Sequence, residues 1–135
     1  MVQVDVVYEG GLRCRAIHGP SGDALVTDAP ADNQGRGAAF SPTDLLATAL
    51  ATCIATTMGI LAEREGMPLE GLAVRVEKSM VADPLRRVGR LALKVTFPEA
   101  LDPAHAERLK AAARACPVRR SLAPDVEVVV EFEAR

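Results

Sequence analysis

Three cysteines, Cys14, Cys53 and Cys116, are the residues of this chain best suited to chemistry. A thiolate is a nucleophile, a metal ligand and a redox centre, whereas a protonated, buried thiol is a small apolar filler. The cysteines form no CxxC or other zinc spacing, and the two histidines, His18 and His105, stand alone, so no metal site is expected. An odd number of widely spaced cysteines, in a sequence without a recognisable signal peptide, leads us to expect a reducing cytoplasm.

The three thiols differ in their local chemistry. Cys116 precedes Pro117 and so takes an N-cap-like position of a short helical turn, where backbone N–H groups favour a thiolate. Arg114, Arg119 and Arg120 add positive charge nearby. Local chemistry alone therefore selects Cys116 as the reactive thiol, with a surface or core filler as its alternative. Cys53 sits in the middle of an apolar helical run, where burial raises a thiol pKa, and its local reading is a core residue. Cys14 alternates with Arg13 and Arg15 in a strand-like run, so the thiol faces one way and both guanidinium groups the other. Taken alone, that pattern reads as a core cysteine beside two solvated arginines.

These residues need a scaffold, and 135 residues supply one domain, expected to span 1–135. Apolar residues at 49% and charged residues at 25% exclude a disordered chain. A net charge of −2, with both signs intermixed, gives no footprint for nucleic acid or an anionic membrane. Aromatic residues at 3%, with no Trp, exclude base-stacking platforms.

Strands are expected over 2–8, 12–18 and 24–27, separated by Gly10-Gly11 and by Gly19-Pro20-Ser21-Gly22. A polar, Gly-containing loop follows over 29–40, long enough to suggest a function. Ser41 is a candidate N-cap, Pro42 suits the first helical position and Asp44 suits the positive end of the helix. From Leu45 to Ala62 no residue is charged. Five Thr and Gly residues dilute that run and it lacks basic or aromatic flanks, so a membrane span is rejected. The remaining expectation is a helix buried all round, at the centre of the fold or in a subunit interface, ending at Gly66 and Pro68. Alternating strands near 72–78 and 91–97, a helix from Asp102-Pro103 to about Ala113, a turn at Cys116-Pro117 and a half-buried strand over 126–133 complete the chain. The order βββ-α-ββ-αα-β makes the protein α+β with antiparallel sheets.

Two stretches together are specific. Ser41-Pro42-Thr43-Asp44-Leu45-Leu46 leading to Cys53, and Ala115-Cys116-Pro117-Val118-Arg119-Arg120-Ser121-Leu122, resemble the OsmC/Ohr family. The similarity extends to Gly10-Gly11 and to the element order, and so covers nearly the whole chain. The resemblance implies an OsmC-like fold, with sheets packed around a long buried central helix, in an intertwined homodimer. It also implies thiol-dependent peroxidase activity toward organic hydroperoxides, in oxidative-stress defence. The helix cysteine would be peroxidatic, hence Cys53, and the Cys-Pro cysteine resolving, hence Cys116. The thiolate-activating arginine maps best onto Arg13, with Arg15 and Arg36 as substitutes. Reduction by a dithiol or a lipoyl group is implied, with no bound cofactor and no nucleic acid or membrane partner.

The peroxidase branch of that family carries a Glu ten residues before the helix cysteine, where it holds the arginine; here the position is Thr43. Asp44 is one residue late, which at about 100° per residue turns it to roughly the opposite face of the helix from Cys53. The alternatives to a peroxidase are a binding protein for a small apolar ligand, with passive cysteines, and a purely structural dimer.

Overall fold

A computed structural model describes residues 1–99 and 101–135. The elements run β1 (Val4–Gly10), β2 (Arg13–His18), β3 (Ala24–Asp28), α1 (Pro42–Glu65), β4 (Ala73–Val81), β5 (Arg87–Phe97), α2 (Pro103–Ala113), α3 (Pro117–Ser121) and β6 (Glu127–Ala134). The expected order is present, with β5 beginning at Arg87, earlier than the expected 91. The chain divides into two compact units, Met1–Leu46 and Ala47–Arg135.

In the first unit β1, β2 and β3 form an antiparallel sheet in that order. Loop 29–40 folds back on the end of β3: the N–H groups of Gly35 and Gly37 donate to the carbonyls of Pro30 and Ala29. It also contains a 3-10 turn at Ala31–Asn33. Gly35 is required there, because a Cβ would lie 1.8 Å from the Ala29 carbonyl oxygen. The unit ends in a capping box. The Asp44 N–H donates to Ser41 Oγ at 3.1 Å, and the Ser41 N–H donates to Asp44 Oδ2 at 2.9 Å. Asp44 therefore works at the start of α1.

The second unit holds β4, β5 and β6 as one sheet in that order. β4 and β5 are antiparallel, but β5 and β6 are parallel, which corrects the expectation of purely antiparallel sheets. The reason lies in the connection: α2 and α3 carry the chain from the end of β5 back to its start, and such a crossover delivers a parallel strand. Val88, Leu91, Leu93, Val95 and Phe97 of β5 are buried, as are Leu109 and Ala113 of α2. Phe97 and Phe132 stack across the parallel pair with ring centroids 5.9 Å apart.

α1 is long and apolar enough to cross a membrane by length and composition. Its buried residues, Ala47, Leu50, Ala51, Ile54, Met58 and Ala62, recur every three or four positions and line one face. Thr52, Thr56 and Ile60 are exposed. Within the chain, therefore, α1 is covered on one side, and the chain alone does not bury it all round. Asp102 caps α2 through a 2.7 Å hydrogen bond from the Ala104 N–H, and Gly66 leaves α1 at φ +68°.

Candidate functional site: a thiol pair on two helices

Cys53 projects from the middle of α1, and Cys116 takes the N-cap position of α3 just before Pro117. The two thiols meet: their side chains are hydrogen-bonded to each other, and both cysteines are free. Cys53 is half-buried, whereas Cys116 is fully buried.

The contact polarises the pair. Burial raises the Cys53 pKa, but hydrogen bonds from the Cys116 thiol, the Val118 backbone N–H and the Thr57 hydroxyl outweigh it and hold Cys53 below the ordinary thiol value. Cys116 goes the other way. Burial raises it, the hydrogen bond with Cys53 raises it further, and a negative charge on Cys53 adds to the effect. The Arg119 and Val118 N–H groups oppose these without cancelling them. Cys116 caps α3 by position and not through a side-chain hydrogen bond of full geometry. The arginines near it in sequence are exposed, and burial keeps the proton on Cys116, contrary to the thiolate expected from its sequence neighbours. A thiol held low beside a thiol held high is an arrangement in which one sulfur ionises while the other keeps its proton.

Thr57 and the Val118 N–H are contributors that the sequence alone did not reveal. Thr57 stands four residues after Cys53, on the same helix face, and that spacing was its only signal. The Val118 N–H belongs to the first turn of α3, where backbone donors lack intrahelical partners.

The other candidates belong to the first unit. Arg13 and Arg15 are exposed on β2, and half-buried Cys14 lies between them on the other face, opposite Tyr8 and Thr27. Arg36 is exposed on loop 29–40. Among the described residues, no three His, Cys, Asp or Glu side chains gather as metal ligands would.

A family model for OsmC-like proteins matches residues 35–131. No curated protein matches in sequence. A structure from Psychrobacter arcticus, described provisionally as an osmotic stress induced and detoxification response protein, is 44% identical. The match covers 98% of this chain and 96% of that one, with a TM-score of 0.91. The organic hydroperoxide resistance protein OsmC of Legionella pneumophila shares 23% identity over 98% of this chain and 96% of its own, with a TM-score of 0.78. For the organic hydroperoxide resistance protein OhrB of Bacillus subtilis the values are 20%, 98% and 98%, with a TM-score of 0.68. The last two likenesses show the fold.

Proposed function

The chain belongs to the family of OsmC-like proteins, whose membership points to an oxidative-stress or peroxide-related role, and we propose that it is a cysteine-based peroxidase reducing organic hydroperoxides. The observation that carries this reading is the direct Cys53–Cys116 contact with its opposed acidities.

In the proposed reaction the Cys53 thiolate attacks the terminal oxygen of R–O–OH and breaks the O–O bond. Sulfur is oxidised to the sulfenic acid, and the alkoxide takes a proton and leaves as the alcohol. Cys116 then attacks the sulfenic sulfur, and hydroxide departs with the thiol proton as water. The disulfide returns to two thiols by exchange with an external dithiol or lipoyl group, which is oxidised in turn. The reaction needs no bound cofactor. Arg13 supplies the guanidinium that balances the thiolate and the departing alkoxide, with Arg15 and Arg36 as substitutes. The protein acts as a homodimer in the cytoplasm, where thiols stay reduced. The apolar residues left exposed on the edge strand β1, Val4, Val6, Val7 and Tyr8, support a homodimer, as does the half-covered α1.

The test is consumption of cumene hydroperoxide by the purified protein with dithiothreitol or dihydrolipoamide. Wild type turns over. Cys53→Ser loses turnover entirely. Without dithiol, Cys116→Ser consumes about one peroxide per chain and accumulates as a dimedone-reactive sulfenic acid in place of a disulfide. A wild type that consumes no peroxide, with no Cys53–Cys116 disulfide formed, refutes the reading.

One observation favours a second reading, an apolar-ligand binder with passive cysteines. The second unit carries a cavity of about 570 Å3, lined by Ala55, Gly59, Met67, Leu69 and Leu72 among others, which is of ligand size. Saturable calorimetric binding of a medium-chain fatty acid, unchanged in Cys53→Ser and without peroxide turnover, would favour it.

A further inference from the structure

In the first unit Asp28, at the end of β3, is 1% exposed, and its carboxylate is only half satisfied. Oδ2 accepts the Ala38 N–H at 3.0 Å, while the buried Oδ1 has no hydrogen-bond partner among the described residues. Burying a carboxylate oxygen without a donor is costly, so such a group persists where a cation or donor is meant to meet it.

Strand register places a guanidinium-bearing residue opposite it. Asp28 is the cross-strand partner of Arg13. The Asp28 N–H points away from β2, to the Phe40 carbonyl at 3.1 Å, while the next residue, Ala29, donates to the Leu12 carbonyl at 3.1 Å. Arg13 and Asp28 are therefore a non-hydrogen-bonded antiparallel pair, the kind whose opposed side chains share a face and approach most closely. The other carboxylate beside the end of this loop, Asp44, is occupied with the Ser41 N–H.

We propose that Asp28 is a positioning residue: its open Oδ1 seats the Arg13 guanidinium and fixes the arginine that serves Cys53. The pairing stands on strand register and burial alone, whereas its service to Cys53 rests on the peroxidase reading above.

A double-mutant cycle on the full chain tests it, with Asp28→Asn, Arg13→Ala and the combination, and with Asp28→Glu as rescue. Three quantities are read: the denaturant midpoint, the pH dependence of Cys53 alkylation by mass spectrometry, and cumene hydroperoxide turnover. Asp28→Asn is expected to slow Cys53 alkylation near neutral pH and turnover by about tenfold, the scale of one charge-assisted hydrogen bond. It adds nothing in the Arg13→Ala background, and Asp28→Glu recovers part of the loss. An equal loss in the Arg13→Ala background would mean that Asp28 acts without the arginine, which overturns the proposal.

Failure of the peroxidase reading looks different. Wild type then turns over nothing, and Arg13→Ala leaves Cys53 alkylation unchanged. The midpoints still decide the pairing, which non-additive shifts uphold and additive ones reject. If Asp28→Asn does not fold, the wild-type Arg13 Nε proton, assigned by its loss in Arg13→Lys, carries the test. Slowed exchange of that proton upholds the pair, and exchange at the rate of a free arginine rejects it.

Discussion

The two units solve the problem of burial in opposite ways. Among the described residues, every buried apolar side chain, from Ala47 to Cys116, belongs to the second unit, whereas the three buried polar ones, Thr27, Asp28 and Ser41, belong to the first. The second unit is an ordinary core of β5 alternation and helix stripes. The first is a three-stranded sheet whose edge strand shows Val4, Val6, Val7 and Tyr8 to solvent, and whose interior is polar and hydrogen-bonded. Hydrophobic burial thus dominates one unit, while the other gains its specificity from a capping box, a folded-back loop and a half-paired carboxylate, and leaves apolar surface for a further contact.

The contrast is broken most directly by cavity formation. Leu91→Ala, at a fully buried site of β5, should cost about 2–5 kcal/mol in chemical denaturation. A loss below about 1 kcal/mol would deny the second unit its role as the core. The first unit responds to charge. Val6→Lys with Tyr8→Lys should weaken the proposed homodimer by tenfold or more in light scattering, while far-ultraviolet circular dichroism stays unchanged; an undisturbed dimer would locate its interface away from β1.

A smaller effect comes from the capping box. Ser41→Ala should destabilise by about 1 kcal/mol, and an unchanged midpoint would leave the start of α1 stabilised by something other than the cap. The finest comparison concerns the thiols. Because Cys53 lies below and Cys116 above the ordinary thiol value, alkylation should rise with pH first at Cys53 and only later at Cys116. Thr57→Val removes one donor to the Cys53 sulfur and should move its profile to higher pH, with Thr57→Ser restoring it. Identical profiles for Cys53 and Cys116 would remove the polarisation on which the proposed roles rest.

Much of the fold was legible because its signals are local. The alternation Leu91, Leu93, Val95, Phe97 announced β5, Ser41-Pro42 announced the start of α1, and Asp102-Pro103 announced α2. The Ser-Pro-Thr-Asp and Cys-Pro stretches together indicated the family. Other features were hidden. The partners of Cys53 are a hydroxyl one helical turn away and groups from a helix far along the chain, and neither alters the local periodicity. The burial of Asp28 was equally invisible, since an acidic residue at a strand end before a polar loop ordinarily reads as solvated.

By itself, then, the sequence determined the elements, their order, the caps and the family, because side-chain periodicity and backbone hydrogen-bonding needs act over a few residues. Tertiary structure alone decided that β6 runs parallel to β5, that α1 keeps one side uncovered, that Cys53 and not Cys116 is the more acidic thiol, and that Asp28 waits with one oxygen unpaired. Strand direction, burial and acidity are set by whichever groups arrive from distant parts of the chain, and neighbours in sequence cannot supply them.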